Sequence, residues 1–152
     1  MKQAIALDRL QRTLGVICGK DTAPEVRVRR AAHGLGLRFR LHRADLPGTP
    51  DLLFTSRRLA VFVHGCFWHR HPRCPKASAP SSEFWATKFK SNVARDRRVE
   101  KELRALGWDV IVIWECETKK SETLARILTT KILRRKVGSV KRSASRLRHR
   151  KR

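Results

Sequence analysis

Residues 61–74, in the middle of the chain, contain three His, two Cys and an adjacent Phe-Trp pair at the end of an apolar run. Thiols and imidazoles are the side chains that bind zinc most readily. Cys66, His71 and Cys74 are spaced closely enough to reach one ion. The segment therefore predicts a zinc knuckle and supplies three of the four ligands that a closed tetrahedral site requires.

Cys116 is the candidate for the fourth zinc ligand. It follows an apolar, β-branched run at 108–114, and a similar run covers 59–63 just before the knuckle. If these two runs form parallel neighbouring strands, their carboxyl ends meet and Cys116 arrives beside Cys66. This pairing predicts a structural Zn²⁺ that joins the ends of two strands.

Two alternatives to this ligand set stay open on spacing alone. The Cys residues could be small buried hydrophobic side chains rather than ligands. Alternatively, His71 could be catalytic, with His64 or His69 in the zinc shell. Cys18 is left over, because the sequence indicates no partner for its thiol.

An acid and two imidazoles at predicted strand ends indicate hydrolytic chemistry. Asp51 follows Pro50 at the start of a short strand, where a carboxylate can bind Mg²⁺. His64 ends the neighbouring strand and His69 follows shortly afterwards. A neutral imidazole can take a proton from an attacking water near neutral pH, so the group favours phosphodiester hydrolysis. The alternative is that Asp51 only terminates a turn.

A long helix predicted over residues 83–106 adds a second acid to this group. Its inward-facing apolar stripe consists of Val99, Leu103 and Leu106. Steps of three and four residues back along the same face reach Asp96 and then Asn92. Because buried polar groups need partners, we expect Asp96 to orient a catalytic His, with Asn92 nearby. The alternative is an edge position in which Asp96 bonds to Arg95 or to a backbone amide.

Three aromatic side chains lie near the proposed metal ligands. Phe67 and Trp68 fall within the knuckle, and Trp85 begins the long helix. Aromatic rings beside a phosphate-binding centre suggest stacking on bases or wedging between base pairs. The alternative is that these rings shield the zinc.

The charge balance predicts a polyanionic partner. The chain of 152 residues carries 36 Lys and Arg against 13 Asp and Glu, a net charge of +23. Nucleic acid is the expected partner, ahead of an acidic membrane surface, and a ribosome-associated protein is the alternative within nucleic-acid binders. No apolar run approaches the ~18 residues that span a bilayer, and the N-terminus lacks a signal-peptide pattern. We therefore expect a cytoplasmic protein without disulfides.

Hydrophobic periodicity and breaker residues predict an α/β sandwich with a mixed central sheet. The two strands that flank the turn at 56–58 should pair antiparallel. We expect an N-terminal helical segment at 1–19, one domain at 20–136 and a disordered basic tail at 137–152. The predicted helices cover 3–14, 22–33, 83–106 and 121–133, and the predicted strands cover 37–42, 51–54, 59–63 and 108–114.

The start of the second predicted helix has a local explanation. Thr22 suits the N-cap, Pro24 an early helical position, and Glu25 the third position of a capping box. Helix capping alone therefore explains the presence of a Glu at position 25. A role for Glu25 at a metal or catalytic site needs further support.

Five blocks of this sequence, in order, resemble the very short patch repair (Vsr) endonucleases of the PD-(D/E)xK restriction-endonuclease-like superfamily. The resemblance covers residues 20–117. The blocks are Lys20-Asp-Thr-Ala-Pro-Glu25, Leu46-Pro-Gly-Thr-Pro-Asp51, Val63-His-Gly-Cys-Phe-Trp-His-Arg-His71, Glu83-Phe-Trp85 with Asn92 and Arg95-Asp-Arg97, and Gly107-Trp108 through Val112-Ile-Trp-Glu-Cys116.

The resemblance implies a restriction-endonuclease-like fold and a Mg²⁺-dependent endonuclease. Such an enzyme nicks DNA on the 5′ side of the mismatched thymine in T:G pairs that arise from deamination of 5-methylcytosine. It implies that Asp51 and the backbone carbonyl of Val63 bind Mg²⁺, and that His69 is the general base, oriented by Asp96. His64 and Glu25 become supporting catalytic groups. The implied zinc ligands are Cys66, His71, Cys74 and Cys116, and the implied DNA wedge is Phe67, Trp68 and Trp85.

The sequence departs from the family pattern in two places. Residues 1–19 differ from the usual basic segment, with Leu14 where a wedge Met is expected, and the gap between His71 and Cys74 differs by one residue among relatives. Two other functions stay open: a restriction-like or structure-specific nuclease, and a non-catalytic zinc-stapled nucleic-acid-binding protein. The expected partners are T:G-mismatched double-stranded DNA and mismatch-repair factors, and the expected state is a monomer that associates with the nucleoid.

Overall fold

Short apolar strands form a four-stranded sheet at the centre of the computed structural model, which describes residues 20–77, 79 and 82–135. The strands are β1 (Arg40–Leu41), β2 (Leu52–Phe54), β3 (Leu59–His64) and β4 (Asp109–Trp114), in the spatial order β1-β2-β3-β4. The predicted helix at 3–14, the predicted tail at 137–152 and Cys18 lie outside the described residues.

The strand directions agree with the two pairings that the sequence predicts. β2 and β3 are antiparallel, with Leu53 opposite Ala60, because only a single 3₁₀ turn joins them. β3 and β4 are parallel, and their register ends with His64 opposite Trp114. The carboxyl ends of β3 and β4 therefore meet at one edge of the sheet.

Within the described residues, three helices cover the sheet on both faces. Helix α1 (Ala23–Gly34) and helix α3 (Ser121–Leu128), which continues as a π-helical turn (Thr129–Leu133), pack on one face. Helix α2 (Glu83–Ala105) packs on the other through the buried Leu103. Successive side chains of each strand point to opposite faces of the sheet, so the strands contribute apolar side chains to a hydrophobic cluster on each face. The predicted α/β sandwich with a mixed sheet is therefore confirmed. Within the described segments, no helix has both the length and the apolar character to cross a bilayer.

Two sequence predictions about these elements are wrong. The strand predicted at 37–42 covers only Arg40–Leu41, because residues 37–39 are not paired with a neighbouring strand and His42, with a positive φ of 43°, ends it. Leu106, predicted to face inward, is 53% exposed. It caps α2, and Gly107 with φ of 81° turns the chain there, so the helical stripe has already ended.

Gly48 sets the distance between the loop before β2 and helix α2. Its φ is 71°, and a Cβ at this position would lie 2.4 Å from a methyl carbon of Val99. Only glycine allows this backbone conformation and this close approach. The loop that delivers Asp51 therefore packs directly against the helix that carries Asp96.

Candidate active site and metal centre

Parallel pairing of β3 with β4 brings three thiols and one imidazole together beyond the ends of the two strands. Ligand atoms of Cys66, His71, Cys74 and Cys116 all lie within 4.8 Å of one another. Nδ1 of His71 is 3.7 Å from the Sγ of Cys66 and 3.4 Å from the Sγ of Cys116. Zinc bonds of about 2.0–2.3 Å place tetrahedral donor atoms about 3.5–3.8 Å apart, so these side chains fit a zinc ion.

The protonation of the thiols is consistent with a cation site. Burial raises the pKa of the Cys66 thiol to about 12, and the Cys116 and Cys74 thiols add to the rise. In contrast, a hydrogen bond from the backbone N–H of Lys76 lowers the pKa of Cys74. A metal ion is the group that would allow three adjacent thiols to ionise together.

The structure separates the three imidazoles of the knuckle. His71 lies with the thiols and stacks on Trp114, with ring centroids 4.3 Å apart and planes at 9°. His64 and His69 instead group with Asp96. The residue between His69 and His71 is Arg70, whose φ of 56° reverses the local path of the backbone. This turn sends two histidines only two positions apart into different clusters.

Asp51 lies immediately before β2, half-buried beside β3. Its Oδ2 accepts a hydrogen bond from the backbone N–H of Val63 at 2.7 Å. Burial raises the pKa of Asp51 to about 6, and the charge of Glu25 adds to the rise while the Val63 bond opposes it. A carboxylate that burial disfavours as an anion is stabilised by a nearby cation, so the residue suits a divalent metal.

His69 and Asp96 form a hydrogen-bonded pair. Nδ1 of His69 is 2.6 Å from Oδ2 of Asp96. Burial acts to raise the pKa of Asp96, but the hydrogen bond and charge of His69 outweigh it, and the pKa is lowered. An ionised carboxylate only accepts hydrogen bonds, so Nδ1–H of His69 donates and Nε2 becomes the basic nitrogen.

His64 completes this group as a neutral ring. It stacks on His69, with centroids 3.9 Å apart and planes at 12°. Burial, helped by His69, lowers the pKa of His64 to about 3. The charge of His69 also acts on Asp51. Asp51 bonds to Val63, the neighbour of His64, and His64 stacks on His69, so the acid and the two imidazoles lie at the same strand end. A shared catalytic role for them stays a prediction.

Asn92 contacts the knuckle loop rather than an imidazole. Its Nδ2 donates to the backbone carbonyl of Trp68 at 3.2 Å. This hydrogen bond ties helix α2 to the residue that precedes His69. A catalytic part for Asn92 stays a prediction, and the observed contact is a structural one.

The aromatic side chains form one cluster at the start of helix α2. Phe67 and Trp68 have ring centroids 5.0 Å apart, and Trp68 and Trp85 are 5.9 Å apart. Phe89 joins the cluster, 5.0 Å from Phe67. Phe67 remains 37% exposed and the adjoining Phe84 49% exposed. Rings of this size at the surface, beside the acid–imidazole site, form an apolar patch able to contact a ligand.

The predicted capping box at the start of α1 is not formed. Thr22 occupies the N-cap, but its hydroxyl donates to Oε1 of Glu25 at 2.8 Å instead of capping a helix N–H. Oε2 of Glu25 accepts from the backbone N–H of Asp21 and from Arg29 at 3.0 Å. Arg29 also contacts His42 and Asp21. Glu25 is thus a buried carboxylate in a polar cluster, and capping does not account for it.

The sequence carried partial signals for two residues that were not predicted here. Arg29 follows Glu25 by four positions and Phe89 follows Trp85 by four, the spacing at which helical side chains meet. His42 carried no local signal, because its contact with Arg29 depends on the placement of β1 beside β2.

A mixed sheet with an acid and paired imidazoles at one edge, on a strongly basic chain, defines the class of nucleic-acid-cleaving hydrolases. The sequence model of the family described as DNA mismatch endonuclease Vsr matches residues 7–76. This chain belongs to the Vsr family, and it is a nicking DNA endonuclease of the kind that acts in DNA repair.

Three relatives show how far the similarity extends. The type II nicking enzyme V.XorIIP of Xanthomonas oryzae is 48% identical over 119 residues, which cover 77% of this chain and 87% of that protein. The DNA mismatch endonuclease Vsr of Escherichia coli is 43% identical over 115 residues, covering 74% and 73%. The nicking enzyme V.NmeAIP of Neisseria meningitidis is 42% identical over 105 residues, covering 68% and 74%.

Proposed function

We propose that this endonuclease nicks double-stranded DNA on the 5′ side of the mismatched thymine in T:G pairs left by deamination of 5-methylcytosine. The observation that carries the proposal is the site in which Asp51 shares one sheet edge with the His69–Asp96 pair. Membership of the Vsr family supports the mismatch specificity, since one relative is named a DNA mismatch endonuclease.

The proposed cofactors are Mg²⁺ in the active site and a structural Zn²⁺ in the Cys/His cluster. Asp51 would bind Mg²⁺, together with the carbonyl oxygen of Val63. The contact seen between these two residues is the N–H bond to Oδ2, which orients the carboxylate. Mg²⁺ supplies stabilisation of negative charge on phosphate oxygens. Cys66, His71, Cys74 and Cys116 would hold Zn²⁺.

His69 is the proposed general base. With Nδ1–H donated to Asp96, its Nε2 is free to take a proton from the attacking water. The imidazolium that forms is stabilised by the ionised Asp96 carboxylate. The neutral ring of His64 lies against His69 and adds no repulsion to that positive charge.

Replacement of Asp96 tests the orienting hydrogen bond. In Asp96→Asn the side-chain shape is kept, but the carboxylate no longer stabilises the His69 imidazolium or selects its tautomer. We expect nicking under single-turnover conditions to fall by about a hundredfold. Affinity for the mismatched duplex should stay within about threefold, as measured by fluorescence anisotropy. An unchanged nicking rate would contradict the pairing.

The aromatic cluster is the proposed DNA wedge. Phe67, Trp68 and Trp85 lie in contact at the surface beside the active site, where they would enter the duplex next to the mismatch. Opening a base step costs a few kcal/mol, and stacking of bases on the rings would offset it.

A fluorescent base reports on this wedge. With 2-aminopurine beside the T:G pair, the enzyme should raise the fluorescence, and Phe67→Ala should remove most of the rise and weaken binding about tenfold. Leu106→Ala is the matched control, since this exposed apolar side chain lies at the other end of α2. Equal fluorescence in the Phe67 variant and the wild type would remove Phe67 from the wedge.

A nicking assay on matched substrates tests the proposed function as a whole. T:G, U:G and T:A duplexes of one sequence, and a branched duplex, are compared with and without Mg²⁺. We expect a single nick 5′ of the thymine in the T:G duplex, only when Mg²⁺ is present. Equal cutting of the T:A or branched duplex would instead indicate a restriction-like or structure-specific nuclease.

The remaining expectations belong to the same proposal. The enzyme acts as a monomer in the cytoplasm, where DNA is its partner and mismatch-repair factors are candidate partners. The proposed nuclease domain is 20–136, with residues 1–19 as a DNA-contacting arm. The +23 net charge supports salt-sensitive binding to phosphates, with the basic tail contributing to it.

A further inference from the structure

A buried polar cluster surrounds Glu25 at the border of the active site. The guanidinium of Arg29 contacts three groups: the carboxylate of Asp21, Oε2 of Glu25 at 3.0 Å and Nε2 of His42 at 2.7 Å. The side chains of Arg29 and His42 are each only 15% exposed, and that of Glu25 is 8% exposed. These three side chains therefore have little access to solvent, whereas the side chain of Asp21 is 66% exposed and lies on the solvent side of the cluster.

The cluster adjoins Asp51. The last residue pair of β1 with β2 is Leu41 with Leu52, so His42 directly follows the end of β1 and Asp51 directly precedes the start of β2. The charges of Glu25 and Arg29 both act on Asp51. Helix α1 supplies Glu25 and Arg29, and the sheet supplies His42. The cluster therefore links the helix to the strand ends that carry the site.

An inventory of donors shows how fully Glu25 is constrained. Oε1 accepts from the Thr22 hydroxyl, and Oε2 accepts from the Asp21 N–H and from Arg29. Each carboxylate oxygen has two lone-pair directions, so these three bonds from described residues occupy both directions on Oε2 and one on Oε1. Of the three donors, only Arg29 carries charge and only Arg29 comes from the next turn of the helix.

The guanidinium of Arg29 also lies where a metal ion bound by Asp21, Glu25 and His42 would lie. Ligand atoms of Asp21, Glu25 and His42 lie within 4.8 Å of one another, a spacing that suits a metal ion. The guanidinium touches all three, and it is always a donor, so Nε2 of His42 is the acceptor in their contact. A fixed side chain, rather than an exchangeable ion, thus supplies the positive charge that pairs with both acids.

We propose that Arg29 is a positioning residue for the nicking reaction, and that His42 holds Arg29 in place. Arg29 fixes the orientation of the Glu25 carboxylate at the border of the site that contains Asp51. The inference rests on the proposed function, because it assigns Glu25 a part in the reaction. It extends that function to two residues outside the proposed catalytic set.

A double-mutant cycle tests whether Arg29 acts through Glu25. Single-turnover nicking of the T:G duplex is measured for wild type, Glu25→Gln, Arg29→Gln and the double variant. We expect Arg29→Gln to slow nicking by about thirtyfold, because a misplaced group costs up to a hundredfold. In the Glu25→Gln background the same change should have no further effect.

Arg30→Gln is the matched control, because it removes the same charge from an exposed position one residue along α1. Its rate should stay within about twofold of wild type. Duplex affinity should fall equally in the Arg29 and Arg30 variants, since each removes one cation from a polyanion-binding protein. His42→Ala disturbs the same cluster at a second residue, because His42 contacts Arg29. This variant should slow nicking about fivefold, again only when Glu25 is present.

The outcomes separate the inference from the function on which it rests. Absence of T:G nicking by the wild-type enzyme would remove the proposed function. Wild-type nicking with an Arg29→Gln rate equal to that of Arg30→Gln would overturn the inference alone. Multiplicative effects in the double variant would also overturn it, because they would show that Arg29 acts on folding or binding independently of Glu25.

Discussion

Asp51→Asn should reduce nicking of the T:G duplex by at least about a thousandfold while leaving the fold intact. The loss reflects the several kcal/mol that a metal ion contributes to stabilising charge on the phosphate, which requires an ionised ligand. The Asn side chain keeps an oxygen that can accept the Val63 N–H bond. Zinc content should stay at the wild-type level, measured by atomic absorption. Nicking that survives would remove Asp51 from the mechanism.

The same variant should be more stable than wild type, with a defined pH dependence. Burial raises the pKa of Asp51 from 3.8 to about 6. As pH rises from about 4 to 6 the unfolded carboxyl ionises before the folded one, so wild-type stability falls relative to a neutral side chain. In Mg²⁺-free buffer, the Tm of Asp51→Asn minus that of wild type should therefore be near zero at pH 4 and positive above pH 6.

Asp45→Asn is the control for both measurements. Asp45 lies in the same loop but is exposed and paired with Arg43 at 2.6 Å. Its replacement should leave the nicking rate within about twofold, since surface ion pairs contribute little. A Tm difference that does not change with pH in Asp51→Asn would contradict burial as the cause of its raised pKa.

Cys116→Ser should lose zinc, stability and activity together. The thiol of Cys116 joins the end of β4 to the knuckle that follows β3. Structural zinc contributes folding free energy, and a loss of about 4 kcal/mol would lower the Tm by roughly 15 °C in a domain of this size. Nicking should also disappear, because His69 lies in the loop between two of the proposed zinc ligands, Cys66 and His71.

Cys18→Ser separates this effect from the loss of a thiol in general. Cys18 has no predicted metal partner, so this variant should retain zinc, Tm and nicking. Inductively coupled plasma mass spectrometry gives the metal content and differential scanning calorimetry the Tm. Full zinc retention in Cys116→Ser would contradict the proposed ligand set.

Local sequence patterns sufficed to predict the parts of the site that depend on strand order. The runs before Cys66 and Cys116 are apolar and contain β-branched residues, and strands that pair in parallel bring their carboxyl ends together. That rule placed Cys116 beside Cys66 on the condition that the two strands are parallel neighbours, and the structure confirms this pairing. In the same way, helical spacing back from Leu103 placed Asp96 on the face of α2 that meets His69.

Side-chain partners inside the site were decided by the tertiary structure. Spacing could not assign His71 and His69 to different clusters. The left-handed backbone conformation of Arg70 separates them, and a sequence predicts such a conformation mainly where it has a glycine. The polar cluster of Arg29 and His42 forms only because β1 lies against β2. Periodicity determines which face a residue occupies, whereas the choice of partner depends on packing between elements far apart in the chain.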